Sequence, residues 1–395
     1  MKRFNRLIRA LFIFAFGIMT LSQTKAAAPD ILVYMDSVEY SLVTCSPHEE
    51  IYSLYGHTAI RMQDLHKSQS NDIVYNWGVF NFDAPHFVLR FVFGLTDYEL
   101  EAASYDVFCK YYQYMGSSVT EQVLNLTSEE KVKLAQALAE NCRPENKVYR
   151  YNYFYDNCST RPRDIISRSV NGQVVYEDRK DYTPSYRDMI RQKTVHHPWA
   201  TFGNDMLLGV KADMKTNRSE QEFLPENLLY DFDHARIRGI DGSWRPLVKE
   251  RRMAVPPGVQ VIEPEFPLTP LECAGILAMI SAMIFLIEWK RRKTFKYWDA
   301  TLMLLIGLAG CVLTVMIFSQ HPATSLNLQL LLFNPIHLFY IPAVLYRRKT
   351  RYWILLLVMV ILLLLGSMLQ HYAEGVIILA LCLLLRIWIH HRNEK

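Results

Sequence analysis

From Leu271 to Lys293 the chain reads LECAGILAMISAMIFLIEWKRRK. Up to Ile287 only Glu272 and Ser281 interrupt an apolar run, which closes on Trp289 and the basic Lys290, Arg291, Arg292 and Lys293. That is close to the ~20 residues a helix needs to cross a hydrocarbon core ~30 Å thick. Further apolar runs follow, so the C-terminal third predicts an all-α domain of five membrane helices, at about 271–288, 299–318, 326–346, 353–369 and 374–390. The third is broken by Asn334-Pro335 and Pro342 and closes on Arg347-Arg348-Lys349; the fifth ends in Arg386, His390, His391 and Arg392. The loops alternate in charge. Lys290–Lys296, Arg347–Arg351 and the C-terminus are basic, whereas Ser319–Ser325 and Gln370–Glu374 contain no Lys or Arg. Basic loops stay in the cytoplasm. Traced backwards, this puts the C-terminus in the cytoplasm and the residues before the first helix outside.

The N-terminus points to the same topology by different physics. Lys2, Arg3, Arg6 and Arg9 precede an apolar run from about Leu11 to Leu21 and the small residues Ala26, Ala27 and Ala28. This is the pattern of a secretory signal over 1–27. An uncleaved anchor is the rival reading, and it exports the following segment equally. The chain thus divides into a signal segment 1–27, an exported domain 28–262 and a membrane domain 263–395. Whole-chain averages conceal the division: a mean hydropathy of +0.02 describes neither part. The 43 Lys and Arg against 39 Asp and Glu leave only +4, much of it in the cytoplasmic loops, so nucleic acid is not an expected partner.

The exported part mixes short alternating runs with helical spacing, an α+β order without a parallel βαβ series. Ile31–Thr44, Thr58–Met62, Ile73–Phe80, Val119–Leu126 and Val148–Phe154 read as strands, the second and third forming a hairpin. Tyr98–Tyr114 has the helical spacing Leu100, Ala103, Val107, Tyr111. Thr127 and Glu130 form a capping box that opens a helix to about Asn141. Ser159–Val170 reads as a helix and Arg245–Gly258 as a basic linker into the membrane. An oxidising compartment permits a Cys109–Cys142 disulfide, which spacing alone does not decide. No Cys or His spacing suggests zinc, and no cofactor is expected.

Cys158 is the sharpest chemical feature. It follows a strand and opens a helix, where unpaired N–H groups and the macrodipole favour a thiolate. Arg161 and Arg163 add positive charge, either to hold a phosphate or to pair with Asp156 and Asp164. The backbone N–H groups of Cys158 and Ser159 are candidate oxyanion donors. His57, behind Gly56 at a strand start, is the candidate base. The hairpin returns Asn76 towards it as an orienting group, with Asp72 and His66 as weaker alternatives. Pro85–Leu95, with Phe87, Val88, Leu89, Phe91, Val92 and Phe93, is either a membrane-contacting acyl-groove element or ordinary core. Asn334, His337, Gln370, His371 and Glu374 near the outer side either line a lipid path or lie in the interface. Asp205 and Asp213 are a carboxylate pair better suited to structure than to catalysis.

Tyr55-Gly56-His57-Thr58, Tyr75-Asn76-Trp77-Gly78-Val79-Phe80 and Tyr155-Asp156-Asn157-Cys158-Ser159-Thr160-Arg161-Pro162-Arg163-Asp164, on this layout, resemble the Lnb-type lipoprotein N-acyltransferases. The exported domain is similar in motif order to permuted NlpC/P60-like, papain-like thiol enzymes, with His ahead of Cys. The resemblance implies an inner-membrane protein of a Gram-negative-type bacterium with a periplasmic N-terminal domain. It implies Cys158 as nucleophile, His57 as base, a membrane phospholipid as acyl donor and the lipidated N-terminal cysteine of lipoproteins as acceptor. A thiol hydrolase, either a phospholipase or a cell-wall peptidase, and a non-catalytic membrane sensor are the competing functions.

Overall fold

The computed structural model describes residues 27–66, 72–80, 85–179, 182–260, 266–321, 323–348 and 350–394. The signal segment lies outside the described residues except for residue 27. The exported domain contains strands β1 (Val38–Cys45), β2 (His57–Asp64), β3 (Asp72–Val79), β4 (Asp97–Ser104), β5 (Val119–Leu124), β6 (Val148–Arg150), β7 (Gly172–Val175), β8 (Arg236–Gly239), β9 (Trp244–Pro246) and β10 (Val248–Val255). Seven of them form one antiparallel sheet in the order β10-β5-β1-β2-β3-β4-β6, and β7-β8-β9 form a smaller sheet. The helix Thr160–Ser169, just after Cys158, packs against β2, which starts at His57. This helix-on-sheet division is that of an α+β domain.

The central strands explain the weak sequence pattern. In β1 every residue but Glu39 is buried, and all six of β5 are, because helices and loops cover both faces. A strand covered on both sides loses its alternation. On one of these faces the guanidinium of Arg61 bridges Glu121 on β5 (2.8 Å) and Asp72 on β3 (2.7 Å), with the Tyr105 ring 3.9 Å beneath it. The helix Ser128–Asn141 starts at the Thr127–Glu130 capping box. It buries Leu134 and Leu138 completely, worth ~1.5–3 kcal/mol each. Glu130 is itself fully buried and carries a second duty, pairing with Arg245 of β9.

Four sequence expectations change. Ile31–Thr44 is not one strand: Ala27–Asp36 is a helix that packs on Ser128–Asn141, with Lys131 Nζ donating to the Met35 carbonyl at 3.0 Å. Tyr98–Tyr114 splits at Ser104, because Leu100 to Ser104 pair with Trp77 to Ile73 of β3 before the helix Tyr105–Tyr114 begins. Of the expected Val148–Phe154 strand, Val148–Arg150 pairs with β4, and Asn152 makes an isolated bridge to Asp156. The linker Arg245–Gly258 is mostly sheet: β10 pairs with β5, and its charges are neutralised on the surface, Arg251 by Asp233 and Arg252 by Glu39 and Glu250. Cys109 and Cys142 are both free thiols.

The membrane domain holds helices Pro270–Arg291, Lys296–Ile317, Ile336–Leu345, Tyr352–Gly366 and Val376–Glu394. The third is extended by the 3-10 turn Leu328–Leu331, so that among the described residues four segments have spanning length. Tyr352–Gly366 has 15 residues, or ~22 Å at 1.5 Å per residue, shorter than the hydrocarbon core. At Gly310 a Cβ would stand 2.4 Å from the Asn334 backbone, so glycine lets the second helix touch the third segment. At the end carrying Lys290–Lys296, buried Arg386 joins Glu288 to Asp299 (2.7 Å), and His390 adds a bond to Asp299 (2.9 Å). This cluster ties the first, second and last helices together.

The two domains are fastened by backbone and by charge. Gly209 N–H and Val210 N–H donate to the Ala323 and Leu326 carbonyls, both at 2.8 Å. Buried Arg187 holds Asp205 (2.8 Å), Asp213 (3.0 Å) and the Leu208 carbonyl (2.8 Å), fixing the loop that docks. From the membrane side, Gln329 donates to the Asp205 carbonyl (2.9 Å), Gln370 to the Leu208 carbonyl (3.0 Å) and Asn327 to the Met206 carbonyl (2.7 Å). His371 bonds to Asp213 at 2.8 Å. Gln370 and His371 therefore lock domains rather than line a lipid path. His337 is buried between Tyr352 and the Leu332 carbonyl, and Asn334 bonds the Leu330 carbonyl.

Candidate active site

His57 opens β2 and lies opposite Cys45 of β1, while Asn76 sits on β3. The β2–β3 ladder ends at Ile60–Tyr75, so the hairpin brings Asn76 to the imidazole: Asn76 Oδ1 is 2.5 Å from His57 Nε2. An amide oxygen there makes Nε2 the donor and leaves Nδ1 for the thiol. His57 and Cys158 lie side by side, close enough that each shifts the titration of the other. The ladder between β3 and β4 slips between Trp77 and Val79, and Gly78 in this bulge has φ +99°. A Cβ on Gly78 would lie 3.7 Å from Cys158 Cβ and 3.9 Å from His57 Cε1. Glycine thus satisfies the backbone and leaves room for a reacting carbonyl.

The turn before the helix is built by Asn157, which sequence reasoning passed over. Its Oδ1 accepts from Ser159 N–H (2.8 Å) and Thr160 N–H (3.0 Å), and its Nδ2 donates to the Tyr153 and Phe223 carbonyls, both at 2.9 Å. The signal was available: an Asn just ahead of a helix is a capping residue. The helix begins at Thr160, so Cys158 stands before its first turn. Ser159 N–H is spent on Asn157 and is not a free oxyanion donor, which corrects that expectation. The Ser159 side chain bonds Thr58 Oγ1 (3.1 Å).

Of the two roles open to Arg161 and Arg163, both are seen in the second, paired with carboxylates. Arg161 makes a two-pronged bond to Asp156 (2.6 and 2.8 Å) and lies 3.6 Å over the Tyr149 ring. Arg163 reaches Asp164 (2.7 Å), the Ser219 carbonyl (2.8 Å) and Glu222 (3.2 Å). Glu222 is fully buried and needs such a cation. Both guanidinium groups hold the fold around the thiol.

The electrostatics favour an ion pair. Burial alone would raise the Cys158 thiol, but the His57 charge, the His57 hydrogen bond, the Thr58 N–H and the Ser159 hydroxyl outweigh it, and the net shift is down. Burial alone would lower His57, but the Cys158 charge and the bonds to Cys158 and Asn76 outweigh it, and the net shift is up. The two titrate as a coupled pair. Tyrosines wall the site. Burial first and then the Cys158 charge push Tyr98 up to about 12, and the same causes raise Tyr149 and Tyr151, so these phenols stay neutral. An acid with a depressed pKa ionises at lower pH. Alkylation of Cys158 by iodoacetamide should therefore persist below the ordinary thiol range of ~8.5. In His57→Ala, burial remains without the opposing charge, so the midpoint should move above that range. Peptide mass spectrometry across pH reads both, and an unmoved midpoint would refute the pairing.

Residues 31–192 match the family model of the Lnb N-terminal periplasmic domain, and residues 262–395 match that of the Lnb transmembrane domain. The chain belongs to the Lnb family. No curated protein and no solved structure matches it. Lnb membership makes this a membrane protein with a periplasmic N-terminal domain and a function of lipoprotein N-acyltransferase type.

Proposed function

We propose that this Lnb-family protein transfers a fatty acyl chain from a membrane phospholipid to the α-amino group of a lipoprotein's diacylglyceryl-cysteine, through a thioester on Cys158. The observation that carries the reading is the meeting of Cys158 and His57 beside Gly78, with the imidazole hydrogen-bonded to Asn76. Cys158 thiolate attacks the donor ester carbonyl. The C–S bond forms, the ester C–O bond breaks, and the His57 imidazolium gives its proton to the departing lysophospholipid oxygen. The acceptor amine then attacks the thioester. The C–N bond forms, the C–S bond breaks, the amine proton passes to His57, and the thiolate–imidazolium pair returns. The Cys158 N–H is the backbone donor proposed for the oxyanion. Asn76 orients the imidazole.

Both lipid substrates lie in the outer leaflet of the inner membrane, which suits a periplasmic domain docked on membrane helices with a cytoplasmic C-terminus. The test is mass spectrometry of lipoprotein N-termini from cells with and without the gene. Deletion should remove the amide-linked chain and leave a free α-amine. Unchanged N-acylation in a strain without a second homologue would overturn the proposal. Lysophospholipid release without amide formation would favour the hydrolase.

A further inference from the structure

The ring wall beside Cys158 continues out of the site. Tyr151 stacks on Tyr98 with centroids 4.1 Å apart, Tyr98 on Phe80 at 4.8 Å, Phe80 on Phe87 at 5.7 Å and Phe87 on Phe91 at 6.3 Å. The inner end lies at the site: Phe80 follows Gly78 by two residues, where a Cβ would lie 3.7 Å from Cys158 Cβ, and its stacking partner Tyr98 is buried. The outer end opens: Leu89 is 58% and Phe91 46% exposed. The helix bearing them, Phe87–Val92, is fastened to the loop after the second membrane helix. Gln320 N–H donates to the Phe93 carbonyl at 2.9 Å, and the His321 ring nitrogen lies 3.3 Å from the Phe91 carbonyl. Phe318, at the end of that membrane helix, is 73% exposed. An apolar row thus runs from the thiol to the rim of the membrane domain.

We infer that this row seats the fatty acyl chain being transferred, and that the chain of the donor lipid enters it past Leu89 and Phe91 from the outer leaflet. The inference rests on the thioester reading. The carbonyl carbon bonded to Sγ carries its hydrocarbon tail through both half-reactions, so that tail must be housed beside Cys158. The acceptor brings only an amine to the carbonyl, and its own chains are several bonds away. The steps from Tyr98 to Phe91 together compare with half of a ~30 Å hydrocarbon core, the depth that one leaflet's chains fill. Entry at a rim fixed to a membrane helix lets the tail leave the leaflet without crossing water.

The test uses the full-length protein in detergent with palmitoyl and hexanoyl phosphatidylethanolamine, reading the acyl adduct on Cys158 by mass spectrometry. Phe87→Ala/Phe91→Ala should lower the palmitoyl-to-hexanoyl ratio about tenfold or more, since each lost apolar contact discriminates by that order. Phe91→Leu, which keeps an apolar side chain, should hold the ratio near wild type. Iodoacetamide alkylation of Cys158 at the wild-type rate shows that the variant's centre is intact. An unchanged ratio, or equal loss with both donors, would overturn the acyl seat while leaving the thioester intact. Absence of any adduct on the wild-type protein would instead overturn the thioester reading beneath it.

Discussion

Cys158→Ala should form no acyl adduct and should lose at least ~10³-fold of its lipoprotein N-acylation, because the proposed thioester loses its thiol, and the Cys45 thiol opposite His57 is fully buried and pushed well up by that burial. Cys158→Ser should fare little better: a hydroxyl does not ionise in this buried setting, and the ion pair that lowers the thiol cannot form. His57→Ala should cost ~10²–10⁴-fold, the usual worth of a positioned acid–base group. Asn76→Ala should cost less, since it removes orientation and not the proton carrier. The assay is complementation of a deletion strain with each variant, read on lipoprotein N-termini together with intact mass of the purified protein. Full complementation by Cys158→Ala would sink the catalytic reading and revive a scaffold role.

Arg187→Met should destabilise the protein by up to ~3 kcal/mol, because it removes the buried cation shared by Asp205 and Asp213 and leaves them only the half-buried Arg191 and the exposed His371. Arg187 is 1% exposed and also satisfies the Leu208 and Gly209 carbonyls in the loop that seats the membrane domain. Thermal unfolding in detergent gives the loss. A combined Arg187→Met/Asp205→Asn/Asp213→Asn protein should recover part of it, since no buried carboxylate is then left short of a cation. Equal stability of Arg187→Met and wild type would refute the assignment of this cluster as the fastening between domains.

Legibility followed the range of the interactions. The membrane helices were readable because length, apolarity and loop charge are local properties. So was the Thr127–Glu130 box, which spans one turn. The His57–Asn76 approach was readable because a hairpin is short. The error at Tyr98–Tyr114 arose because a spacing of three and four residues fits a helix, while pairing with β3 claims the first half. β10 looked like a linker because its partner, β5, lies more than a hundred residues upstream and its outward charges hide the pairing. Arg161 and Arg163 looked like anion ligands because Glu222, which needs Arg163, is distant in sequence. Asp205 and Asp213 stood out as a pair, but their shared partner Arg187 did not.

The place of β10 bears on how the protein is made. β5 has all its residues buried and β10 covers one of its edges, so a chain that has emerged only as far as β9 presents an uncovered strand ready to pair with a neighbour. The strand that seals it, Val248–Val255, leaves the ribosome directly ahead of Pro270, where the first membrane helix begins. Closure of the sheet and capture of the chain by the bilayer are therefore successive moments of one synthesis. A chain truncated just before Val248 would be open to aggregation, whereas one that carries Val248–Val255 would have its edge sealed.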